Sequence, residues 1–378
     1  MAKFVVAPDS FKGSISAQGA CEAIKKGIVS VIEDAEVVIK PIADGGEGTL
    51  DAMVPQSCIR EAEVCGPLFE RLCARYGYVN DTAVIEMACA AGLTLIPESE
   101  RNAGQTTTYG VGELISLALK KGFRKIMLTV GGSATNDGGC GMLAALGARF
   151  LKSDKSQFVP TGDTLGLISE VDISGLPKAF FECEFLVATD VKNQLLGDNG
   201  ATFVYAPQKG LHHGQKEKLE DGMAHFAEIL EKKSGKDVTK IEGCGAGGGI
   251  SAPLLALADS RIMSGIDTVL EVTEFESALD GADAVITGEG KIDSQSLFGK
   301  AIRGVARKGF ERNIPVYCFV GKLGDDEEKL KRLGLSEIYE IAPMASSLED
   351  SMANADRYLF ALAKQFAEDF LNKKALNL

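Results

Sequence analysis

The sequence predicts an α/β protein with mainly parallel β-sheet and two domains. Strand-like apolar runs alternate with segments whose apolar residues recur at helical spacing, a pattern typical of strand–helix units. The chain has 378 residues, which is long for one compact core. Residues 56–78 and 152–181 interrupt the alternation with short, charged or irregular runs. These interruptions indicate a second domain inserted into the first.

The expected strands follow one another along the whole chain. They are the runs KFVVAP, EVVIKPIA, TAVIEMA, RKIMLTV, EFLVATD, ADAVITG, PVYCFVG and SEIYEIA. Helical spacing predicts helices over residues 16–32, 110–122 and 348–371, and Ser16 is a suitable N-cap for the first of them.

Composition and charge exclude several classes of protein. A net charge of −13 argues against a nucleic-acid surface, which is usually basic. No apolar run approaches the ~20 residues that a membrane span needs. The first apolar run stops at Pro8 and is too short for a signal peptide, so we expect a cytoplasmic protein. Nine scattered cysteines without a C-x-x-C pair predict reduced, mostly buried thiols and no structural zinc.

Five of the expected strands end in polar, glycine-rich turns. The turns are APDSFKGS (7–14), ADGGEGT (43–49), VGGSATNDGG (130–139), ATDVKNQLLGDNGA (188–201) and TGEGKIDSQS (287–296). Ordinary loop composition accounts for any one of them. Ligands of open α/β sheets bind beyond the carboxyl ends of the strands, so five such turns together favour one ligand cleft.

The turns contain the residue types that phosphoryl transfer requires. Cations and backbone N–H groups neutralise phosphates, carboxylates hold Mg²⁺, and a base orients the acceptor hydroxyl. The lysines in or beside the turns include Lys12, Lys209 and Lys291; the carboxylates include Asp9, Asp44, Asp137, Asp190, Glu289 and Asp293. Asp44 and Asp190 directly follow apolar strands, which suits a base or a metal ligand. For each Asp, a turn or helix cap is the structural alternative.

Standard catalytic motifs are absent from the sequence. There is no P-loop, no H-R-D and no G-x-S-x-G, and the chain has only three histidines. Gly243, Gly245 and Gly248 fit the dinucleotide pattern G-x-G-x-x-G, but the strand expected before it is weak. A tight turn into a closely packed helix explains these glycines equally well.

The ordered blocks APDSFKGS, PIADGGEGT, GGSATNDGG, GDNGA followed by APQKG, and ITGEGKIDSQSLFGK resemble the bacterial glycerate kinase family. The resemblance covers nearly the whole chain. It implies a discontinuous flavodoxin- or Rossmann-like domain, residues 1–55 and 270–378, and an inserted domain, residues 56–269, likened to restriction endonucleases. It also implies ATP- and Mg²⁺-dependent phosphorylation of D-glycerate to 2-phosphoglycerate in a cleft between the domains.

With this resemblance, the turn residues receive hypothetical roles. Asp190 or Asp44 orients the C2 hydroxyl, Lys12 and Lys291 neutralise phosphates and the substrate carboxylate, and Glu289 or Asp293 holds Mg²⁺. The remaining expected substrate- or nucleotide-binding residues are Asp9, Ser10, Gly45, Gly46, Gly131, Gly132, Ser133, Asn136, Asp137, Lys209, Gly288 and Gly290. The alternatives are a nucleotide-dependent oxidoreductase built on the Gly243–Gly248 turn and a non-catalytic sensor of sugar acids or nucleotides.

Overall fold

The structure is a computed structural model that describes residues 1–11, 13–43, 45, 48–212, 214–292, 300–324 and 334–376. It has the predicted α/β class with parallel sheet. The strands are β1 (Lys3–Pro8), β2 (Glu36–Ile39), β3 (Arg60–Cys65), β4 (Arg71–Val79), β5 (Thr82–Glu86), β6 (Lys125–Thr129), β7 (Arg149–Leu151), β8 (Gln157–Phe158), β9 (Glu170–Asp172), β10 (Glu184–Ala188), β11 (Asp259–Met263), β12 (Ala284–Ile292), β13 (Val316–Leu323) and β14 (Glu337–Glu340).

Helices and short 3-10 turns connect these strands. The α-helices are α1 (Ala17–Val29), α2 (Thr49–Met53), α3 (Ala88–Ala91), α4 (Tyr109–Lys120), α5 (Cys140–Ala145), α6 (Lys178–Phe181), α7 (Ala201–Tyr205), α8 (Lys216–Ser234), α9 (Ser251–Leu257), α10 (Gly265–Val272), α11 (Phe275–Ala278), α12 (Lys300–Glu311), α13 (Leu348–Ala353) and α14 (Ala355–Leu376).

Contacts between Cα atoms divide the chain into two compact units. The first unit comprises residues 1–44, 51–53 and 269–378, and the second comprises 45–50 and 54–268. Residues 45–50 belong with the second unit, whereas the sequence analysis assigned them to the first domain. The reason is local, because the backbone N–H groups of Gly48 and Leu50 donate to the Glu86 carboxylate.

The first unit contains a five-stranded parallel sheet in the order β2-β1-β12-β13-β14. Numbered within the unit, this is the order 2-1-3-4-5 of flavodoxin-like sheets. Helix α1 begins where Ser16 Oγ accepts from the Gly19 N–H, as the sequence predicts. It lies beside α14, and both cover the apolar side chains of β1, β13 and β14.

The predicted helix over residues 348–371 is two helices. Helix α13 ends at Ala353, and α14 begins at Ala355. Ser347 caps α13 by accepting from the Asp350 N–H, and Asn354 makes the break.

The second unit is built on a six-stranded sheet in the order β11-β10-β6-β5-β4-β3. Strands β11, β10, β6 and β5 are parallel, whereas β4 and β3 extend the sheet antiparallel. The sequence analysis assigned no strand to the charged residues 56–78, although they contain β3 and most of β4. Their charges alternate with apolar residues because one face of β3 and β4 is exposed, which is typical of antiparallel sheets.

All nine cysteines are free thiols, and six of them are buried, as the sequence predicts. In the described part of the chain, every helix is too short or too polar to cross a membrane.

Replacing Phe366 with alanine should lower the free energy of unfolding by about 3–5 kcal/mol. Phe366 is 1% exposed, and its ring packs against five other described aromatic rings at centroid distances of 4.8–6.2 Å. Phe360→Ala, on the same helix but 38% exposed, should cost about 1 kcal/mol or less. Urea unfolding monitored by circular dichroism measures both, and equal losses would contradict this view of the core.

Candidate functional site

Four parallel strands of the second unit end at the same level of the sheet. Glu86 of β5 pairs with Thr129 of β6, Thr129 pairs with Ala188 of β10, and Ala188 pairs with Met263 of β11. The segments that follow these strands therefore begin side by side at one edge. Parts of three predicted binding regions lie in this unit near the edge: residues 131–139, Asp190, and Gly45, Gly48 and Thr49 of the 43–49 turn.

Asp190 lies at this edge and is half-buried. Its Oδ1 accepts from the backbone N–H of Gly265, the first residue of α10, at 3.0 Å. Gly45 lies against the same residue, since a Cβ at position 45 would be 2.3 Å from the Gly265 Cα. Gly45 also has φ of +82°, which favours glycine. The structure thus brings Asp190 and Gly45 together through Gly265, while Asp44 and Gly46 lie outside the described residues.

Glu86 is a functional candidate that sequence reasoning missed. Its carboxylate is buried at the end of β5 and accepts from the N–H of Gly48 at 2.6 Å and of Leu50 at 3.1 Å. It therefore holds the end of the 43–49 turn against the second unit's sheet. The available signal was the one used for Asp44 and Asp190, a carboxylate directly after an apolar run.

Asp137 fixes the 131–139 loop from inside. Its carboxylate is fully buried and accepts from Thr108 N and Thr108 Oγ1, both at 2.8 Å, and from Gly139 N and Gly141 N, both at 3.1 Å. Burial raises the pKa of Asp137, and these hydrogen bonds oppose that shift. The carboxylate joins this loop to the segment before α4 and to the start of α5. The run of three buried threonines, 106–108, was the signal for Thr108.

Lys209 is buried beside the same loop. Its Nζ donates to Ser133 Oγ at 2.8 Å and to the Thr135 carbonyl at 2.7 Å. Burial lowers the pKa of Lys209 to about 7, and the nearby Asp137 carboxylate opposes that shift. Ser133 and Lys209 were both predicted to bind a ligand, and in the structure they bind each other. Their interaction anchors the loop to the turn at residues 207–209.

The outer part of the loop has a different character. Gly131 and Gly132 are exposed, whereas Asn136 is fully buried and its Nδ2 donates to Thr202 Oγ1 at 3.3 Å. The buried polar groups thus support the loop, and the bare backbone at residues 131–132 faces outward.

The G-x-G-x-x-G turn supports the same loop. No strand immediately precedes it among the described residues, because a turn leads into a 3-10 segment at Ala246–Gly249 and then into α9. A Cβ at Gly248, whose φ is +68°, would lie 2.0 Å from the Thr135 carbonyl oxygen. The Gly138 N–H donates to Gly248 O at 3.0 Å. These glycines allow close backbone packing, and the strand–turn–helix context of a dinucleotide site is missing.

The other predicted turns meet in the first unit. Pro8 of β1 pairs with Gly288 of β12, and the Asp9 N–H donates to the Gly288 carbonyl at 2.8 Å. Asp9 Oδ1 accepts from the Ser10 N–H at 2.6 Å. A cavity of about 350 Å³ at this end of the sheet is lined by the predicted residues Asp9, Ser10, Glu289, Gly290 and Lys291, among others. Lys12 and Asp293 lie outside the described residues.

The predicted metal ligand Glu289 shares the cavity wall with Asp9. They follow Pro8 and Gly288, which are paired on adjacent strands, so the two carboxylates lie at one level, Asp9 just after β1 and Glu289 within β12. Among the residues that the structure describes, no three or more His, Cys, Asp or Glu side chains form a metal-binding cluster.

The stability contribution of Lys209 should depend on pH. Unfolded lysine binds a proton below a pKa of about 10.4, whereas folded Lys209 does so only below about 7. Between these values the unfolded state binds more protons, so stability rises with pH. From pH 7 to 9.5 the unfolding free energy of the wild type should rise relative to Lys209→Met by up to about 1.4 kcal/mol per pH unit.

Urea unfolding of both proteins at several pH values measures this difference. Lys232→Met is the control, because the Lys232 side chain is 77% exposed. Its difference from the wild type should stay constant over the same range. A constant difference for Lys209→Met as well would show that the buried amine does not titrate in this window.

The whole chain is similar to known proteins of one family. A model described as "Glycerate kinase family" matches residues 4–371. The chain is 42% identical over 380 residues to the glycerate kinase of Bacillus subtilis strain 168, with all of both chains covered. It is 40% identical over 357 residues to the glycerate 2-kinase of Escherichia coli K12, covering 93% of this chain and 94% of that one.

A solved structure agrees with these relatives. The crystal structure of a candidate glycerate kinase 2 from Salmonella typhimurium LT2 matches with a TM-score of 0.89 at 38% identity, and all of both chains are covered. The α/β fold and the family resemblance read from the sequence are both confirmed. The chain belongs to the glycerate kinase family and is a phosphotransferase.

Proposed function

We propose that the protein transfers the γ-phosphoryl group of ATP to the C2 hydroxyl of D-glycerate, forming 2-phosphoglycerate and ADP with the help of Mg²⁺. The name of the E. coli relative, glycerate 2-kinase, supports both the acceptor and the position of transfer. The cleft between two domains that the resemblance implies is part of the same proposal.

One observation carries the assignment of the acceptor side. Asp190, Gly45 and the exposed backbone of Gly131 and Gly132 lie at one carboxyl edge of the second unit's sheet. A base and bare N–H groups are the parts that bind and activate a small hydroxy acid. Asp190 is held by the Gly265 N–H, so its carboxylate has a defined orientation.

Residues of the chain take separate roles in this reaction. Asp190 accepts the proton of the C2 hydroxyl while that oxygen forms its bond to the γ-phosphorus. The bond from the γ-phosphorus to the β–γ bridging oxygen breaks, and ADP leaves with that oxygen. Lys291 neutralises negative charge on the phosphates. Asp137 and Lys209 hold the 131–139 loop in position and do not touch the reacting atoms.

The resemblance implies Mg²⁺, and the donor set of the first unit fits it. Mg²⁺ in nucleotide sites needs one or two carboxylates beside phosphate oxygens and water. Asp9 and Glu289 supply two carboxylates on the wall of one cavity. When bound, the ion would neutralise charge on the phosphate oxygens. We propose Asp9 and Glu289 as its protein ligands; the predicted Asp293 lies outside the described residues.

ADP release with ATP and Mg²⁺ tests the function directly. We expect release that depends on D-glycerate, with L-glycerate and no acceptor as controls, and phosphorus NMR should place the new phosphate on C2. Phosphate on C3 would keep the kinase and overturn the proposed position of transfer. Absence of release with every acceptor would favour the non-catalytic sensor.

Asp190→Asn should lower kcat by roughly 10²- to 10⁴-fold, because the amide cannot accept the hydroxyl proton. The amide oxygen can still accept from the Gly265 N–H, so the circular dichroism spectrum and the urea midpoint should be unchanged. Asp198→Asn is the matched control, since Asp198 is exposed in the same loop, and its kcat should equal that of the wild type. Wild-type turnover in Asp190→Asn would remove Asp190 from the mechanism.

A further inference from the structure

The cavity of the first unit has two chemically distinct walls. It lies beyond the carboxyl end of β1 and beside the last residues of β12 and β13, near the sheet edge where open parallel sheets bind ligands. Its volume of about 350 Å³ falls within the range of roughly 300–1,000 Å³ that is usual for small-molecule sites. One wall is polar and the other is mostly apolar.

The apolar wall is formed by residues that the sequence analysis did not single out. They are Phe11, Ile341, Leu348, Met352 and Ala355. Leu348 is 63% exposed and Met352 is 39% exposed, so two large apolar side chains face open space at the cavity. Burial of such side chains against a flat apolar ligand is favourable by about 25 cal/mol per Å².

The polar wall contains a pair of lysines on adjacent strands. Lys291 of β12 pairs in register with Lys322 of β13, and both side chains line the cavity. Like charges directly opposite each other on neighbouring strands repel. Two ammonium groups on one wall suit an anionic group at this end of the ligand, beside Asp9 and Glu289, which the proposed function assigns to Mg²⁺.

We propose that this cavity binds the nucleotide substrate, with the purine and ribose against Phe11, Leu348 and Met352 and the phosphates toward Lys291 and Lys322. The inference rests on the proposed kinase function and assigns the nucleotide to the first unit. D-Glycerate fits the cavity poorly, because a three-carbon acid with two hydroxyls gains nothing from an apolar wall. A nucleoside polyphosphate matches both walls.

A tryptophan introduced in place of Leu348 provides a direct probe. The chain contains no tryptophan, so the emission of Leu348→Trp reports on this cavity alone. We expect adenosine and ADP to change that emission saturably and D-glycerate to leave it unchanged. Leu371→Trp, at a position that is 43% exposed and does not line the cavity, should respond to none of the three. A response to D-glycerate without one to adenosine would overturn the proposal.

A charge on the apolar wall gives an independent readout. Met352→Glu should raise the KM for ATP at least about tenfold and leave the KM for D-glycerate within about twofold, because it places a carboxylate where the nucleoside binds. Met344→Glu is the matched control, since Met344 is 44% exposed and does not line the cavity. Equal KM values for ATP in the two variants would overturn the proposal, whatever the fluorescence shows.

The two proposals fail in different ways. Adenosine and ADP titrations of Leu348→Trp require no turnover, so they test nucleotide binding even if no acceptor supports ADP release. Suppose instead that the Leu348→Trp variant releases ADP in the presence of D-glycerate, while adenosine and ADP do not change its tryptophan emission. That result would keep the proposed function and remove the nucleotide from this cavity.

Discussion

The buried carboxylate of Asp137 is the interaction on which the second unit's ligand edge depends. A charged group without solvent is stable only where donors surround it, and Thr108, Gly139 and Gly141 supply those donors. They come from two separate segments of the chain. One side chain therefore fixes the path of the loop after β6 relative to α4 and α5. Lys209 adds a second anchor. Together, Asp137 and Lys209 fix the position of the exposed residues 131–132.

Most of the fold follows from local sequence patterns. The eight apolar runs each contain a strand, and the N-cap at Ser16 begins a helix where helical spacing predicts one. The exceptions have different causes. Strands β3 and β4 are half-exposed, so their alternation of charged and apolar residues looks irregular until the antiparallel partner is known. Asn354 breaks a helix whose apolar pattern continues on both sides of it.

Those residues of the candidate site that belong to a local sequence pattern could be predicted. Glycine-rich turns after apolar strands identified residues 131–139, Asp190, and the Asp9 and Glu289 region. The pairing of Lys291 with Lys322 depends on strand register, which no local pattern contains. The apolar run before Glu86 was a local signal for this carboxylate, but its hydrogen-bond partners lie 36 and 38 positions away in the sequence and could not be predicted. The described contacts of the five turns form two groups, one within each unit, and the single cleft that we expect from the sequence stays a prediction.

This grouping bears on how an acidic protein can bind two anions. The net charge of −13 is spread over the chain, and charges on the surface are screened beyond a Debye length of about 8 Å at physiological ionic strength. Local groups therefore decide the potential at each site. In the first unit these are Lys291 and Lys322, with Asp9 and Glu289 as the proposed Mg²⁺ ligands, and in the second unit the exposed glycines 131–132 offer only backbone groups. Full charges suit a polyphosphate, whereas uncharged donors suffice for a single carboxylate. The distribution of charge between the two groups of turns thus agrees with a nucleotide in the first unit and a small hydroxy acid in the second.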